Sequence, residues 1–115
     1  MTIQRINPEP RWSDVTIYNG IAHFVEVPED TRVGAEGQIK QVLDLAEQRL
    51  ALMGSDKTRL LSTTIYLTDR QNVEVMNRLW EAWLPVGCAP SRACVKVELL
   101  NPDMLIEMAF VAVCD

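Results

Sequence analysis

The chain has 115 residues and is acidic, with 16 Asp and Glu against 11 Lys and Arg and a formal net charge of −5. A chain of this length is expected to form one domain, residues 1–115, around one hydrophobic core. No segment concentrates basic residues, so nucleic-acid binding, which needs clustered cations, is not expected. No segment approaches the roughly 20 apolar residues of a membrane helix, and the N-terminus lacks the apolar run of a signal peptide. We therefore expect a cytoplasmic protein without a membrane partner.

Cysteine and histidine content limits the chemistry that the side chains can supply. The three cysteines, Cys88, Cys94 and Cys114, form no Cys-x-x-Cys pair, so we interpret them as free thiols. The single histidine, His23, lies in a predicted strand, where a packed or surface role is more common than catalysis. Neither a metal site of the usual His and Cys type nor a nucleotide site with a GxGxxG or Walker loop is expected.

The N-terminal part of the chain predicts three strands. Residues Ile3–Ile6 alternate apolar and polar side chains, and Asn7–Pro10 then breaks the pattern as a turn. Two further strands, Asp14–Tyr18 and Ile21–Val27, flank the dipeptide Asn19-Gly20. An Asn-Gly pair between β-prone segments is a strong hairpin signal, because both central residues must tolerate a positive φ.

Two amphipathic helices are predicted. From Gly34 to Met53 apolar residues recur at three- and four-residue spacing, and Gly54 is the expected C-terminal stop. Asp69 can cap the second helix, which we expect over Arg70–Trp83. The residues predicted to face inward are Ile39, Val42, Leu43, Ala46, Leu50 and Met53 in the first helix, and Val73, Met76, Leu79, Trp80 and Trp83 in the second.

Three more strands complete the predicted fold. One, Arg59–Leu67, lies between the helices, and the other two, Arg92–Leu99 and Leu105–Val113, follow the second helix. The order of elements is therefore βββαβαββ. Because the helices are amphipathic and strands outnumber them, we predict an α+β fold with a six-stranded mixed sheet and both helices on one face.

Arg92 is the main candidate for a binding residue. Pro90 favours an extended backbone and Arg92 opens a strand, so its guanidinium is expected to project from the end of the sheet. A guanidinium binds a carboxylate through two parallel hydrogen bonds and keeps its charge in a cleft. These properties favour an anion clamp, and a surface arginine or a structural ion pair is the alternative interpretation.

The C-terminal part of the chain resembles the signature of a known family. The segments concerned are Pro90-Ser91-Arg92-Ala93-Cys94-Val95, then Leu100 and Pro102, then Ile106-Glu107-Met108-Ala109-Phe110-Val111-Ala112. They resemble the C-terminal signature of the Rid (reactive intermediate deaminase, YjgF-type) family, and the order of elements is similar over nearly the whole chain. The resemblance implies a chorismate-mutase-like fold and a homotrimer with clefts between subunits. It also implies hydrolysis of 2-imino acids, released by pyridoxal-phosphate enzymes, to 2-keto acids and ammonia without a cofactor.

The resemblance also implies roles for individual residues. Arg92 matches the arginine that grips the substrate carboxylate, and Cys94 matches a residue whose backbone carbonyl positions water. Glu107 matches a glutamate that activates or orients the attacking water, although strand alternation alone also explains an outward carboxylate here. Asn77 resembles a helix asparagine near the cleft, and Trp12 stands where many members carry a tyrosine that covers the pocket.

Glu26 departs from the family pattern. Many members have a small hydroxyl residue followed by glycine in the strand Phe24–Pro28, and Glu26 replaces the glycine. At an effective dielectric constant of about 20, two unit charges about 4 Å apart interact by roughly 4 kcal/mol, so Glu26 facing the ligand would oppose binding of a carboxylate. Two other arrangements are open: Glu26 pairs with Arg92 and closes the site, or it points away on the opposite face of the strand.

Three functions follow from these observations. The first is an imine deaminase that acts on a small-molecule imino acid. The second is a non-catalytic Rid-like trimer that binds a small metabolite or serves as an interaction or chaperone module. The third is the ribonuclease activity attached to some relatives, which the acidic charge, the lone histidine and the lack of a basic stripe disfavour.

Overall fold

The computed structural model describes residues 2–115 and shows a six-stranded sheet with two α-helices. The elements follow the predicted order βββαβαββ, so the predicted α+β fold class is confirmed. The strands are β1 (Gln4–Pro8), β2 (Ser13–Tyr18), β3 (Ile21–Glu26), β4 (Leu60–Leu67), β5 (Ser91–Lys96) and β6 (Ile106–Val113). The helices are α1 (Ala35–Leu52) and α2 (Val73–Trp83), with short 3-10 turns at Lys57–Arg59 and Arg70–Asn72.

The strands lie side by side in the order β1-β2-β3-β6-β4-β5. Strands β4 and β5 pair in parallel, and every other neighbouring pair is antiparallel. The last strand in the chain, β6, therefore lies in the middle of the sheet. Strand β5 forms one edge, so its outer backbone groups have no partner strand within residues 2–115.

The Asn19-Gly20 hairpin forms as predicted. Asn19 and Gly20 have φ values of 54° and 77°, and Tyr18 pairs directly with Ile21 across the turn. Both central residues thus adopt the left-handed conformation that a tight two-residue hairpin loop requires. The hairpin sets the register of β2 against β3, which places His23 opposite Thr16.

The hydrophobic core lies between one face of the sheet and the two helices. Side chains alternate along β6, with Met108 and Phe110 buried under the helices, and the Phe24 and Phe110 rings stack 5.0 Å apart. Every predicted inward residue of α1 is buried. On α2, Met76 and Trp80 are buried, and the other three predicted residues are partly buried against the core. No helix within residues 2–115 has both the length and the apolar character needed to cross a bilayer.

Some predicted boundaries were wrong. Strand β1 continues to Pro8, because an edge strand tolerates a proline whose missing N–H has no ladder partner to bind. Strand β5 ends at Lys96 and not at Leu99, because Lys96 pairs with Leu67, the last residue of β4. Asp69 caps the 3-10 turn that precedes α2, since its side chain accepts a hydrogen bond from the backbone of Gln71.

Candidate functional site

Arg92 and Asn77 meet at the β5 edge of the sheet. Arg92 is exposed, and its Nη2 donates a hydrogen bond of 2.7 Å to Oδ1 of Asn77 on α2. Within residues 2–115, no carboxylate forms an ion pair with Arg92. A guanidinium has five N–H donors in a planar fork, so one bond to an amide leaves most of the fork for a ligand.

The register of the sheet directs Arg92 toward α2. Arg92 pairs with Thr63 of β4, Thr63 pairs with Phe110 of β6, and Phe110 pairs with Phe24 of β3. Thr63, Phe110 and Phe24 are buried under the helices. Because residues aligned across a sheet share a face, Arg92 belongs to the same helix-facing row, and its position on the edge strand leaves it exposed.

Cys94 lies next to Arg92 on the same face. Its thiol is half-buried against the core, and it is not bonded to another cysteine. Val97 donates its N–H to the carbonyl of Leu67 on β4 at 2.9 Å. Backbone groups alternate in direction along a strand, so those of Cys94 point away from β4 at the unpaired edge. This edge, formed by Arg92, Asn77 and the backbone of Cys94, is called the Arg92 edge below.

Glu107 lies on the opposite face of the sheet from Arg92. It is half-buried, and it pairs with Tyr66 of β4. Its neighbours in the chain, Ile106 and Met108, are both buried under the helices, so alternation places Glu107 on the uncovered face. A single chain therefore does not bring Glu107 beside Arg92.

Trp12 and Glu26 line a second region, a cavity of about 520 Å³ near the start of β2 and the end of β3. Trp12 is 62% exposed, whereas Glu26 is only 4% exposed. Strands β6 and β4 separate β3 from β5, which corresponds to about 14 Å across the sheet. We call this region the Trp12 groove, and its lining includes Trp12, Asp14, Val25, Glu26, Leu45 and Arg49.

Glu26 is paired with Arg49 inside the groove. Arg49 Nε donates to Oε2 of Glu26 at 3.2 Å, and Arg49 Nη2 lies 3.4 Å from Oδ2 of Asp14. Burial raises the pKa of the Glu26 carboxyl above its usual value, and the Arg49 charge opposes that shift. The arrangement in which Glu26 pairs with Arg92 is wrong for the single chain, because Arg49 holds the carboxylate.

Arg49 was missed as a partner in the sequence. A signal was present, because Arg49 lies three residues after Ala46 and seven after Val42, both of which are buried. Helical spacing thus places it beside the inward-facing stripe of α1. The helical spacing does not reveal that Asp14 of β2 and Glu26 of β3 both place a carboxylate beside Arg49.

The chain matches known proteins over almost its full length. A family model described as Endoribonuclease L-PSP matches residues 2–114. The RutC family protein YoaB of Escherichia coli K12 is 39% identical over 112 residues, covering 97% of this chain and 98% of that protein. A crystal structure of a YjgF family member from Neisseria meningitidis has a TM-score of 0.95 at 35% identity and covers 100% of this chain and 97% of that one.

A further solved structure that matches the chain is described as a member of the Rid family. The crystal structure of YyfA from Yersinia pestis, described as a conserved Rid family protein of unknown function, has a TM-score of 0.82 at 25% identity. It covers 92% of this chain and 90% of that one. This chain belongs to the Rid/YjgF family. Membership confirms the resemblance that the C-terminal segments indicated, and the structural matches confirm the Rid fold.

This Rid chain separates the predicted site residues into three places. Arg92, Asn77 and Cys94 lie together at the Arg92 edge, and Trp12 and Glu26 lie together in the Trp12 groove. Glu107 lies on the uncovered face, where it belongs to neither group. One chain thus contributes these six residues from three separate places, and the expected site between subunits stays a prediction.

Proposed function

We propose that this Rid protein hydrolyses 2-imino acids, released by pyridoxal-phosphate enzymes, to 2-keto acids and ammonia. The observation that carries the proposal is the exposure of Arg92 and its lack of a carboxylate partner within residues 2–115. Its guanidinium is exposed at a sheet edge, is held by an amide, and has no carboxylate partner within residues 2–115. Such an arginine is well suited to bind the carboxylate that every 2-imino acid carries.

The proposed reaction needs little beyond positioning. A water oxygen adds to the carbon of the C=N bond while the imine nitrogen takes up a proton. The hydroxyl proton of the resulting carbinolamine passes to its amino nitrogen, the C–N bond breaks to release ammonia, and the C=O bond of the 2-keto acid forms. Arg92 fixes the carboxylate, the Cys94 carbonyl orients the water, and Glu107 takes a proton from the water and returns one to the nitrogen. Orientation provides much of the acceleration, and a general base adds about 10²–10⁴-fold.

The proposed site requires two copies of the chain. Arg92 and Glu107 lie on opposite faces of the sheet within one chain, so we expect the site to be completed where a second copy covers the β5 edge. The sheet face that carries Glu107 is uncovered, and Val25 and Val95 on it are 53% and 42% exposed. Exposed apolar area of this kind is typical of an interface. We therefore propose a homotrimer with its sites between subunits, in which Trp12 covers the pocket.

An assay of imine decay tests the proposal. The protein is coupled to an amino-acid dehydratase, and the released imine is followed in competition with a trapping amine. We expect faster imine decay with the wild type and about a 10²- to 10³-fold lower kcat/KM in Arg92→Ala, because a charge-assisted carboxylate contact is lost. Arg70→Ala, which removes another exposed arginine, serves as the matched control. Equal decay with and without protein would refute the proposed activity.

A second candidate function is a non-catalytic binder of small carboxylates. One observation favours it: a single chain has the anion-binding group at the Arg92 edge but has Glu107 on the other face. Titration calorimetry with 2-keto acids separates the candidates when run beside the imine assay. Binding that depends on Arg92 without any hydrolysis would favour the binder.

A further inference from the structure

One buried side chain ties two loops of this protein together. Gln38 on α1 is 1% exposed, and its Nε2 donates to the carbonyls of Val33 at 3.0 Å and Asp103 at 3.1 Å, with Thr31 further away at 3.4 Å. Its Oε1 accepts a hydrogen bond of 2.8 Å from the backbone N–H of Leu105. The amide therefore links the loop before α1 to the connection between β5 and β6.

The connection that Gln38 holds leads directly to Glu107. Leu105 immediately precedes β6, and Glu107 is the second residue of that strand. The ladder between β3 and β6 ends at the pair Glu26–Met108, so Glu107 is paired on the β4 side alone. The chain enters β6 without support from β3, and Gln38 supplies a fixed contact two residues before Glu107.

We infer that Gln38 is a positioning residue that holds the entry into β6 and so places the Glu107 carboxylate. This inference rests on the proposed role of Glu107 in activating water. Without the amide, the part-buried Leu105 N–H and the facing carbonyls of Val33 and Asp103 lose their partners. The Leu105 carbonyl keeps only its 3.3 Å bond from the Thr68 N–H, so the segment is free to shift toward other partners. Displacement of a reacting group by about 1 Å can lower a rate by about 10²-fold.

The same helix provides a matched control. Gln41 lies three residues further on, and its Nε2 donates to the carbonyl of Asp30 at 2.9 Å while its Oε1 accepts from the N–H of Asp30 at 2.9 Å. Both glutamines thus hold a loop backbone through a donor and an acceptor. Only Gln38 holds a segment that leads to Glu107, so the pair separates positioning from a general effect on α1.

The kinetic experiment compares Gln38→Leu, Gln38→Glu and Gln41→Leu in the imine assay, with thermal unfolding measured for each. Neither Gln38 variant can donate to the Asp103 carbonyl, so for both we expect kcat to fall about 10- to 100-fold. We expect KM to change less than about threefold, because Arg92 at the β5 edge still binds the carboxylate. Gln41→Leu is expected to keep both constants. A folded Gln38→Leu with kcat within about twofold of the wild type would overturn the inference, as would an equal loss in Gln41→Leu.

A structural measurement decides the inference without using activity. In the wild type, the Leu105 N–H should exchange with solvent as slowly as amides in the middle of β6, and rapid exchange there would refute the proposed anchor. In Gln38→Leu the NMR resonances of the Glu107 amide and carboxyl should shift, whereas in Gln41→Leu they should not. Unchanged Glu107 resonances in Gln38→Leu would also refute the proposed anchor. If Arg92→Ala keeps full activity, the proposed function fails, and these resonances still decide the role of Gln38.

Discussion

The Arg92 edge and the Trp12 groove each contain an arginine, and the two arginines are used in opposite ways. Arg49 has a side chain 27% exposed and lies between the carboxylates of Asp14 and Glu26. Arg92 is exposed and bonded to the neutral amide of Asn77. A carboxylate neighbour neutralises the guanidinium, whereas an amide orients it and leaves its charge available for a ligand. The neighbouring side chain therefore decides whether an arginine is structural or able to bind an anion.

The largest expected effect comes from removing the arginine of the groove. In Arg49→Met, the buried Glu26 loses its charged partner, so we expect the free energy of unfolding at neutral pH to fall by about 3 kcal/mol. Urea denaturation measures the change. Arg32→Met is the control, because the Arg32–Asp30 pair is at the surface and its removal should have little effect. A loss below about 1 kcal/mol in Arg49→Met would contradict the structural role of Arg49.

A single-atom change should make the Arg92 edge resemble the groove. In Asn77→Asp, the amide that orients Arg92 becomes a carboxylate that competes with the substrate for the guanidinium. We expect kcat/KM for imine hydrolysis to fall about 30-fold, mainly through a higher KM. Asn72→Asp makes the same replacement just before α2 and should leave the kinetics unchanged. If Asn77→Asp keeps the wild-type KM, then Arg92 does not bind the substrate carboxylate.

Because of Glu26 in the Trp12 groove, the free energy of unfolding should also depend on pH. Burial raises the folded-state pKa of Glu26 above 4.5. The favourable contribution of the protonated Glu26 carboxyl to the free energy of unfolding is therefore complete below the pKa of the unfolded chain. This contribution is lost as the pH rises through the pKa of the folded protein. Removing Arg49 raises that folded pKa further. The destabilisation by Arg49→Met should therefore be smaller at about pH 5 than at about pH 8.

The pH dependence has its own control in the double variant Glu26→Gln with Arg49→Met. This variant lacks the titrating carboxyl, so its stability relative to Glu26→Gln alone should not depend on pH in that range. Urea denaturation at the two pH values measures both differences. A pH dependence that persists in the double variant would assign the effect to another group.

The smallest expected effect concerns Cys94 at the Arg92 edge. Its proposed role uses the backbone carbonyl and not the thiol, so Cys94→Ala should change kcat/KM by less than about twofold. The imine assay measures this, with Arg92→Ala in the same series as a reference for complete loss of the clamp. A loss of about tenfold or more would mean that the thiol itself takes part.

Local features of the fold could be predicted from neighbouring residues. The Asn19-Gly20 hairpin depends on two residues, and the buried face of α1 depends on a repeating spacing; both were predicted and are confirmed. Alternation along β6 also offered an outward carboxylate at Glu107, which lies on the face of the sheet away from the helices. These features depend on interactions between residues close in sequence, so the local pattern contains the information that they need.

The sequence by itself determined the family, the order of elements and the candidate residues, because these are carried by local patterns and short motifs. The tertiary structure decided the pairing of Glu26 with Arg49, 23 residues away, the exposure of Arg92, and the separation of Arg92 from Glu107. In the sequence, Gln38 is an ordinary polar residue of a helix. The tertiary structure places the β5–β6 connection against it, where Gln38 bonds to Leu105, 67 residues further along the chain. Such contacts depend on strand order and register, which follow from the packing of the whole sheet and not from any one segment.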